Sequence, residues 1–308
     1  AATLAAGTYT PAITTTDKAG NTATSTATAF TIDTSVTTTA KLDSSSDSGT
    51  AGDNITNDNT PTISGVTEPG ASVKVVVGGQ TLTTTANASG AWSVTPTTVL
   101  ADNTYTPVVT VTDVSGNTAT VNGTAFKVDT VTTVTVALAS ASDTGSSTTD
   151  NITKVTTPTF SGTAEPGASI KVVVGGQTLT TTADATTGAW SVTAATLPAG
   201  SYAPVVTATD KAGNTATAIG STVTIDTAVA PATTGALASS SDSGLVGDNT
   251  TNSTTPTISG TAEPGATIKV VVGGQTLTAT AAADGTWSVT AATLAAGTYT
   301  PAITTTDK

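Results

Sequence analysis

The chain has 308 residues, of which 37% are hydrophobic, 3% aromatic and 10% charged; 21 acidic residues stand against 9 lysines, with no arginine, histidine or cysteine. A net charge of −12 argues against a nucleic-acid partner, since phosphate binding needs a basic surface and guanidinium forks. Lacking Cys and His, the chain offers no disulfides, no zinc–thiolate site and none of the usual general bases or nucleophile pairs, so no enzyme is expected. No run of about 20 apolar residues is present to span a membrane, and no signal peptide opens the sequence.

Thr, Ala, Ser and Gly dominate, a bias shared with disordered stalks. Val, Ile and Leu nevertheless fall at strand periodicity between turn signals, which points to folded β-structure. Landmarks recur at a fixed period: Trp92, Trp190 and Trp287; Tyr9, Tyr105, Tyr202 and Tyr299; Asp53, Asp150 and Asp248, spaced 96 to 98 residues apart. A unit of about 97 residues is too long for a solenoid repeat and suits a small domain that buries its own core.

In chain order, residues 1–33 read as the last two strands of one repeat. Residues 34–129 form a whole repeat with seven strand-like runs. The first is 36–42, followed by an acidic loop over 43–59. Further runs lie near 61–67, 72–77, 80–86, 91–95, 104–112 and 118–128. Period-two alternation puts Val73, Val75 and Val77 on one face and Lys74 on the other. Gly78-Gly79, Gly175-Gly176 and Gly273-Gly274 supply the positive φ of tight hairpins; no helix follows them, so they are not phosphate cradles. Glu68-Pro69-Gly70, Asn87-Ala88-Ser89-Gly90, Ala101-Asp102-Asn103 and Ser115-Gly116-Asn117 carry turn chemistry. Seven short strands in this length read as an immunoglobulin-like sandwich, with Trp92 as the largest core side chain and Tyr105 where a tyrosine corner falls. Residues 130–226 repeat the whole pattern, and 227–308 repeat it without the final strand. The expected fold is all-β: tandem Ig-like β-sandwiches set end to end as an extended rod, with neighbouring repeats as partners.

Residues 1–18 are identical to 291–308, so the sequence starts and stops at one phase. Two readings stay open. One is an arbitrary window on a longer array. The other is an open sheet edge in the last sandwich, completed by residues 19–33 of a neighbouring molecule, which gives end-to-end self-association by strand complementation.

The carboxylates recur in two groups. One lies at the pole where the chain enters each sandwich: Asp33, Glu68 and Asp113; Asp129, Glu165 and Asp210; Asp226, Glu263 and Asp307. Three converging carboxylates repel one another unless a hard cation joins them, and Ca2+, with six to eight oxygen ligands, is the natural choice. The other group lies in the long loop: Asp47, Asp53 and Asn54; Asp143, Asp150 and Asn151; Asp242, Asp248 and Asn249. The pattern S-D-[ST]-G followed by D-N offers carboxylates, an amide oxygen and freely turned carbonyls, yet lacks the spacing of an EF-hand. The plain alternative is that these residues cap turns. Glycosylation triplets at Asn54, Asn87 and Asn151 are expected by chance in so Thr-rich a chain, and the exposed Thr rows read as β-propensity.

The combination of S-D-S-G, D-N-I-T-N, T-P-T-I-S-G-T-A-E-P-G-A, G-x-W-S-V-T, L-A-A-G-T-Y and T-D-K-A-G-N-T-A resembles the bacterial immunoglobulin-like repeats of giant surface adhesins, both RTX adhesins and biofilm-associated proteins. The resemblance implies an extracellular extender on the bacterial cell surface, projecting a distal binding domain and stiffened by Ca2+ at the joints. The family's calcium positions would fall on Asp129, Glu165, Asp210 and their counterparts. Two other functions remain: a Ca2+-dependent carbohydrate-binding array, which requires an exposed aromatic platform, and a metal-independent surface-layer repeat.

Overall fold

The computed structural model describes residues 3–145, 147–229 and 232–307; residues 1, 2 and 308 of the identical terminal segments lie outside them. The chain forms two units, residues 1–132 with 209–215 and residues 133–208 with 216–308. Among the described residues the only helix is a 3-10 turn, Ser140–Ser142.

In the first unit, the strand Ser72–Val77 alternates exposed and buried without a break, and Val73, Val75 and Val77 are at most 3% exposed. It turns into Gln80–Thr85 through Gly78 (φ 54°) and Gly79 (φ 77°), the two left-handed positions of a type I′ hairpin. With Val108–Thr112 and Thr118–Asn122 these make a four-stranded sheet. A three-stranded sheet of Ala91–Val94, Ile63–Val66 and Lys41–Leu42 lies in the same core, where Trp92 and Ile63 meet the valines. The third sheet joins Asn103–Tyr105, Phe126–Val128 and Ile55–Thr56, the last pair parallel.

The structure departs from the sequence-based expectation in three places. First, of the run 36–42 only Lys41–Leu42 enters a ladder. Upstream, hydroxyls and carbonyls replace ladder bonds: Thr67 Oγ1 donates to Thr37 O (2.8 Å), Trp92 Nε1 to Thr38 Oγ1 (3.3 Å) and the Val66 amide to Thr39 Oγ1 (3.2 Å). Second, the acidic loop contributes the short strand Ile55–Thr56. Third, the last two runs each break and change sheet. Pro107 has no N–H to give a ladder, and Gly123 comes so close that a Cβ there would lie 2.9 Å from Ala40 O and from Pro107 Cγ. Its amide donates to Pro107 O (2.8 Å), fixing both breaks together.

The second unit holds two further cores, one around Phe160 and Trp190 and one around Ile258 and Trp287. Each Tyr hydroxyl donates to the carbonyl four residues before it, Tyr105 to Ala101 (2.8 Å) and Tyr202 to Pro198 (2.9 Å), a tyrosine-corner bond. The tryptophans differ. Trp92 has Thr38 as acceptor, whereas Trp190 Nε1 is buried without one. Val134 packs against that core, four residues before Leu138, as Thr38 stands four before Leu42. Val134→Thr should therefore raise stability by about 0.5–1.5 kcal/mol by giving the indole N–H an acceptor, read as a higher denaturant midpoint at unchanged slope.

Candidate metal centres

Each acidic triad is built from three local structures. The first member ends the strand that closes a repeat, and the second opens a Glu-Pro-Gly turn whose glycine takes positive φ, Gly70 at 75° and Gly265 at 85°. The third opens the loop after a core strand. In the first unit, ligand atoms of Asp33, Glu68 and Asp113 all lie within 4.8 Å of one another. In the second unit the same holds for Asp226, Glu263 and Asp307. The remaining set divides between the units: Asp129 and Asp210, both buried, are in the first, and Glu165 occupies the equivalent turn in the second.

Hydrogen bonds orient the carboxylates of Asp33 and Asp113 in the first triad. Asp113 is 6% exposed; its Oδ1 accepts from the Ser115 and Asn117 amides (2.8 Å each) and its Oδ2 from Asn117 Nδ2 (2.7 Å). Burial pushes its pKa up, but those bonds outweigh it and hold the carboxyl below the usual range. Asp33 accepts from the Ser35 amide (3.3 Å) and from Ser115 Oγ (3.4 Å). Glu68 is the strained member: burial, then the charges of Asp33 and Asp113, raise it above its ordinary value of 4.5. An ion pair joins Lys127 Nζ to Asp129 Oδ2 at 2.7 Å elsewhere in the unit.

These shifts set a pH profile of definite sign for the metal-free protein. Above 4.5, folded Glu68 binds more protons than unfolded, so its contribution to stability falls as pH rises through the raised value. Asp113 works oppositely; its contribution is present above 3.8 and is lost as pH drops through its lowered value. In EDTA the melting midpoint should therefore rise on acidification from pH 7 toward 4.5 and fall again below 3.8.

In the long loop, Asp47 Oδ2 accepts from the Gly52 amide (2.6 Å) and Asp53 Oδ1 from the Ile55 amide (2.9 Å). The other oxygens, Asp47 Oδ1 and Asp53 Oδ2, are buried with no hydrogen-bond partner. The second unit repeats this. Asp143 is 5% exposed with Oδ1 unpartnered, and Asp242 Oδ1 is unpartnered too. Asp150 and Asp248 are exposed and accept from Ile152 (3.0 Å) and Thr250 (2.8 Å). Buried carboxylate oxygens without donors call for a compensating partner, and a cation is one that fits their charge. Asn54, Asn151 and Asn249 sit at φ 61°, 60° and 57°, the left-handed region that asparagine tolerates. The Asn54 and Asn151 carbonyls accept from Lys127 (2.8 Å) and Thr224 (2.9 Å), so these two turn the loop onto the closing strand. Asp102, read from the sequence as a turn residue, accepts from the Thr130 amide (3.2 Å) and hydroxyl (2.8 Å) through its carboxylate.

Among solved structures, the chain is similar to the Ca2+-stabilised adhesin with which an Antarctic bacterium reaches out and binds ice (28% identity, TM-score 0.33, covering 97% of this chain and 80% of that one). It is similar to a 1.5-MDa bacterial ice-binding adhesin (23%, 0.37, 89% and 98%). It also resembles a tetra-tandem repeat from the extending region of a large adhesion protein (21%, 0.33, 99% and 82%). No curated protein sequence matches it. The sequence pattern of the bacterial Ig-like domain matches residues 1–34, 35–130, 130–227 and 229–308, and the chain belongs to that family.

Proposed function

We propose that the chain is an extender segment of a bacterial cell-surface adhesin, working outside the cell to hold a distal binding domain away from it, and that Ca2+ bound at its acidic clusters stiffens the joints between repeats. On this reading the repeats run 34–129 and 130–226, flanked by the partial repeats 1–33 and 227–308. The observation that carries it is the recurrence of one Asp, Glu, Asp triad at the same three places of the repeat, gathered within 4.8 Å in each unit that holds a whole set. The donors fit the ion. All are hard oxygens, three negative charges are concentrated, and burial with its two acidic neighbours disfavours the charged form of Glu68, a penalty a bound cation would relieve. Ca2+ would be held by Asp33, Glu68 and Asp113, by Asp129, Glu165 and Asp210, and by Asp226, Glu263 and Asp307. The loop carboxylates Asp47, Asp53, Asp143 and Asp242 offer a second set. Sites of the 10⁻⁴–10⁻³ M class fill at extracellular Ca2+ levels. A sugar-binding array has less support, since Trp92, Trp190 and Trp287 are each 4% exposed and form no aromatic platform.

Thermal melts in EDTA and in 10 mM Ca2+ test this. Filling one such site adds about 1.4–2.7 kcal/mol, a midpoint rise of about 6–20 °C for a domain of this size. Glu68→Gln should raise the EDTA midpoint, by removing repulsion, and shrink the calcium gain. Coincident melts in the two conditions would discard the metal and leave a passive spacer.

A further inference from the structure

Residues 210–214 sit on the acidic loop of the first unit through contacts that use no carboxylate. The Thr50 amide donates to Lys211 O (2.9 Å), and Ser48 Oγ donates to Ala212 O (2.6 Å) while accepting from the Asn57 amide (2.8 Å). Asn214 Nδ2 donates to Asp129 O (2.8 Å), and Ala212 is fully buried. Two glycines permit the approach. A Cβ on Gly49 would lie 2.1 Å from Lys211 O, and one on Gly213 would lie 3.2 Å from Gly49 Cα. Main-chain carbonyls at this distance leave no room for any side chain at 49.

We infer that this loop is a metal-independent latch, by which one repeat grips the long loop of the repeat before it whether or not the acidic clusters hold a cation. Both halves recur in the sequence. The gripping half is D-K-A-G-N at 17–21 and 210–214 and D-V-S-G-N at 113–117. The receiving half is a hydroxyl followed by glycine: Ser48-Gly49, Thr144-Gly145 and Ser243-Gly244. The local scaffold of the receiving half recurs too, since Thr144 Oγ1 accepts from the Lys154 amide (3.1 Å) as Ser48 Oγ does from Asn57. Because Asp210 opens the gripping loop, the latch keeps a candidate ligand positioned when the metal is absent. Chelation then loosens this joint without releasing it.

Amide hydrogen exchange on the full chain in EDTA tests the latch apart from any metal. The Thr50 amide should exchange at least about tenfold more slowly than an unstructured amide. Gly49→Ala should bring it to the unstructured rate. Gly52→Ala should not, because Gly52 shares the loop and a positive φ (88°) but has nothing within 4 Å of a Cβ. The Asp129 amide, bonded to Thr56 O (2.8 Å), reports that the core remains folded. If Gly49→Ala also exposes Asp129, Ser48→Ala takes its place and must speed Thr50 alone. Unprotected Thr50 in the wild type, or unchanged protection in the folded variant, overturns the latch.

Discussion

Trp190→Ala is expected to destabilise its core by about 3–5 kcal/mol and to lower the melting midpoint of that core by about 12–40 °C. The indole is 4% exposed and lies amid Phe160, Ile170, Val172 and Val206. A core with so few aromatics has no neighbour of that size to collapse into the void. The three cores share no residue, so the loss should appear as one displaced transition in calorimetry while the others stay in place. The equivalent Trp92→Ala should cost about 1 kcal/mol more, because it also loses the bond to Thr38 Oγ1, whereas Trp190 Nε1 has no partner to lose. Equal losses at the two sites would show that the Thr38 bond contributes nothing.

Gly65→Ala should be nearly as damaging, at or above the top of the ~1–3 kcal/mol range for overpacking. The added methyl would stand 1.9 Å from Thr39 O and 2.5 Å from Trp92 Cζ2. Thr39 cannot simply retreat, since its amide donates to Val66 O (3.0 Å) and its hydroxyl accepts from the Val66 amide (3.2 Å). Gly162 faces the same obstacle, with Thr135 O at 2.0 Å. At Gly260 the nearest atoms are all of the Trp287 ring, the closest at 2.7 Å, and a ring can tilt where a carbonyl cannot. Urea melts should therefore rank Gly65→Ala and Gly162→Ala well above Gly260→Ala.

The sequence made the repeating elements readable because their signals are local. The alternation of Val73, Val75 and Val77 and the Gly78-Gly79 turn each sit within six residues, and Tyr105 reaches back only four. The triad Asp33, Glu68 and Asp113 was readable despite spanning 80 residues, since an Ig-like topology brings those loops to one pole. Ile55–Thr56 was hidden by its length: two residues leave no periodicity, and its partner lies some 70 positions away. The sheet change at Pro107 and Gly123 was hidden for a related reason. Each residue alone signals a break, but only their contact with each other and with Ala40 says that both strands leave together. A glycine inside a strand signals close backbone approach, and on that ground Gly65 could have been read from the motif I-S-G.

The parallel pairing of Phe126–Val128 with Ile55–Thr56 bears on how such a chain carries load. On the proposed extender role, tension would reach a repeat at its last strand and leave toward the preceding residues through the segment before Ile55. In a parallel pair those two pulls run along the strands in opposite directions. The bonds from the Lys127 amide to Asn54 O and from the Asp129 amide to Thr56 O (2.8 Å each) lie across that direction. Under the proposed extender role they would break together in shear, not one after another like a zip, which would make a strand of only two residues the mechanical clasp of its repeat.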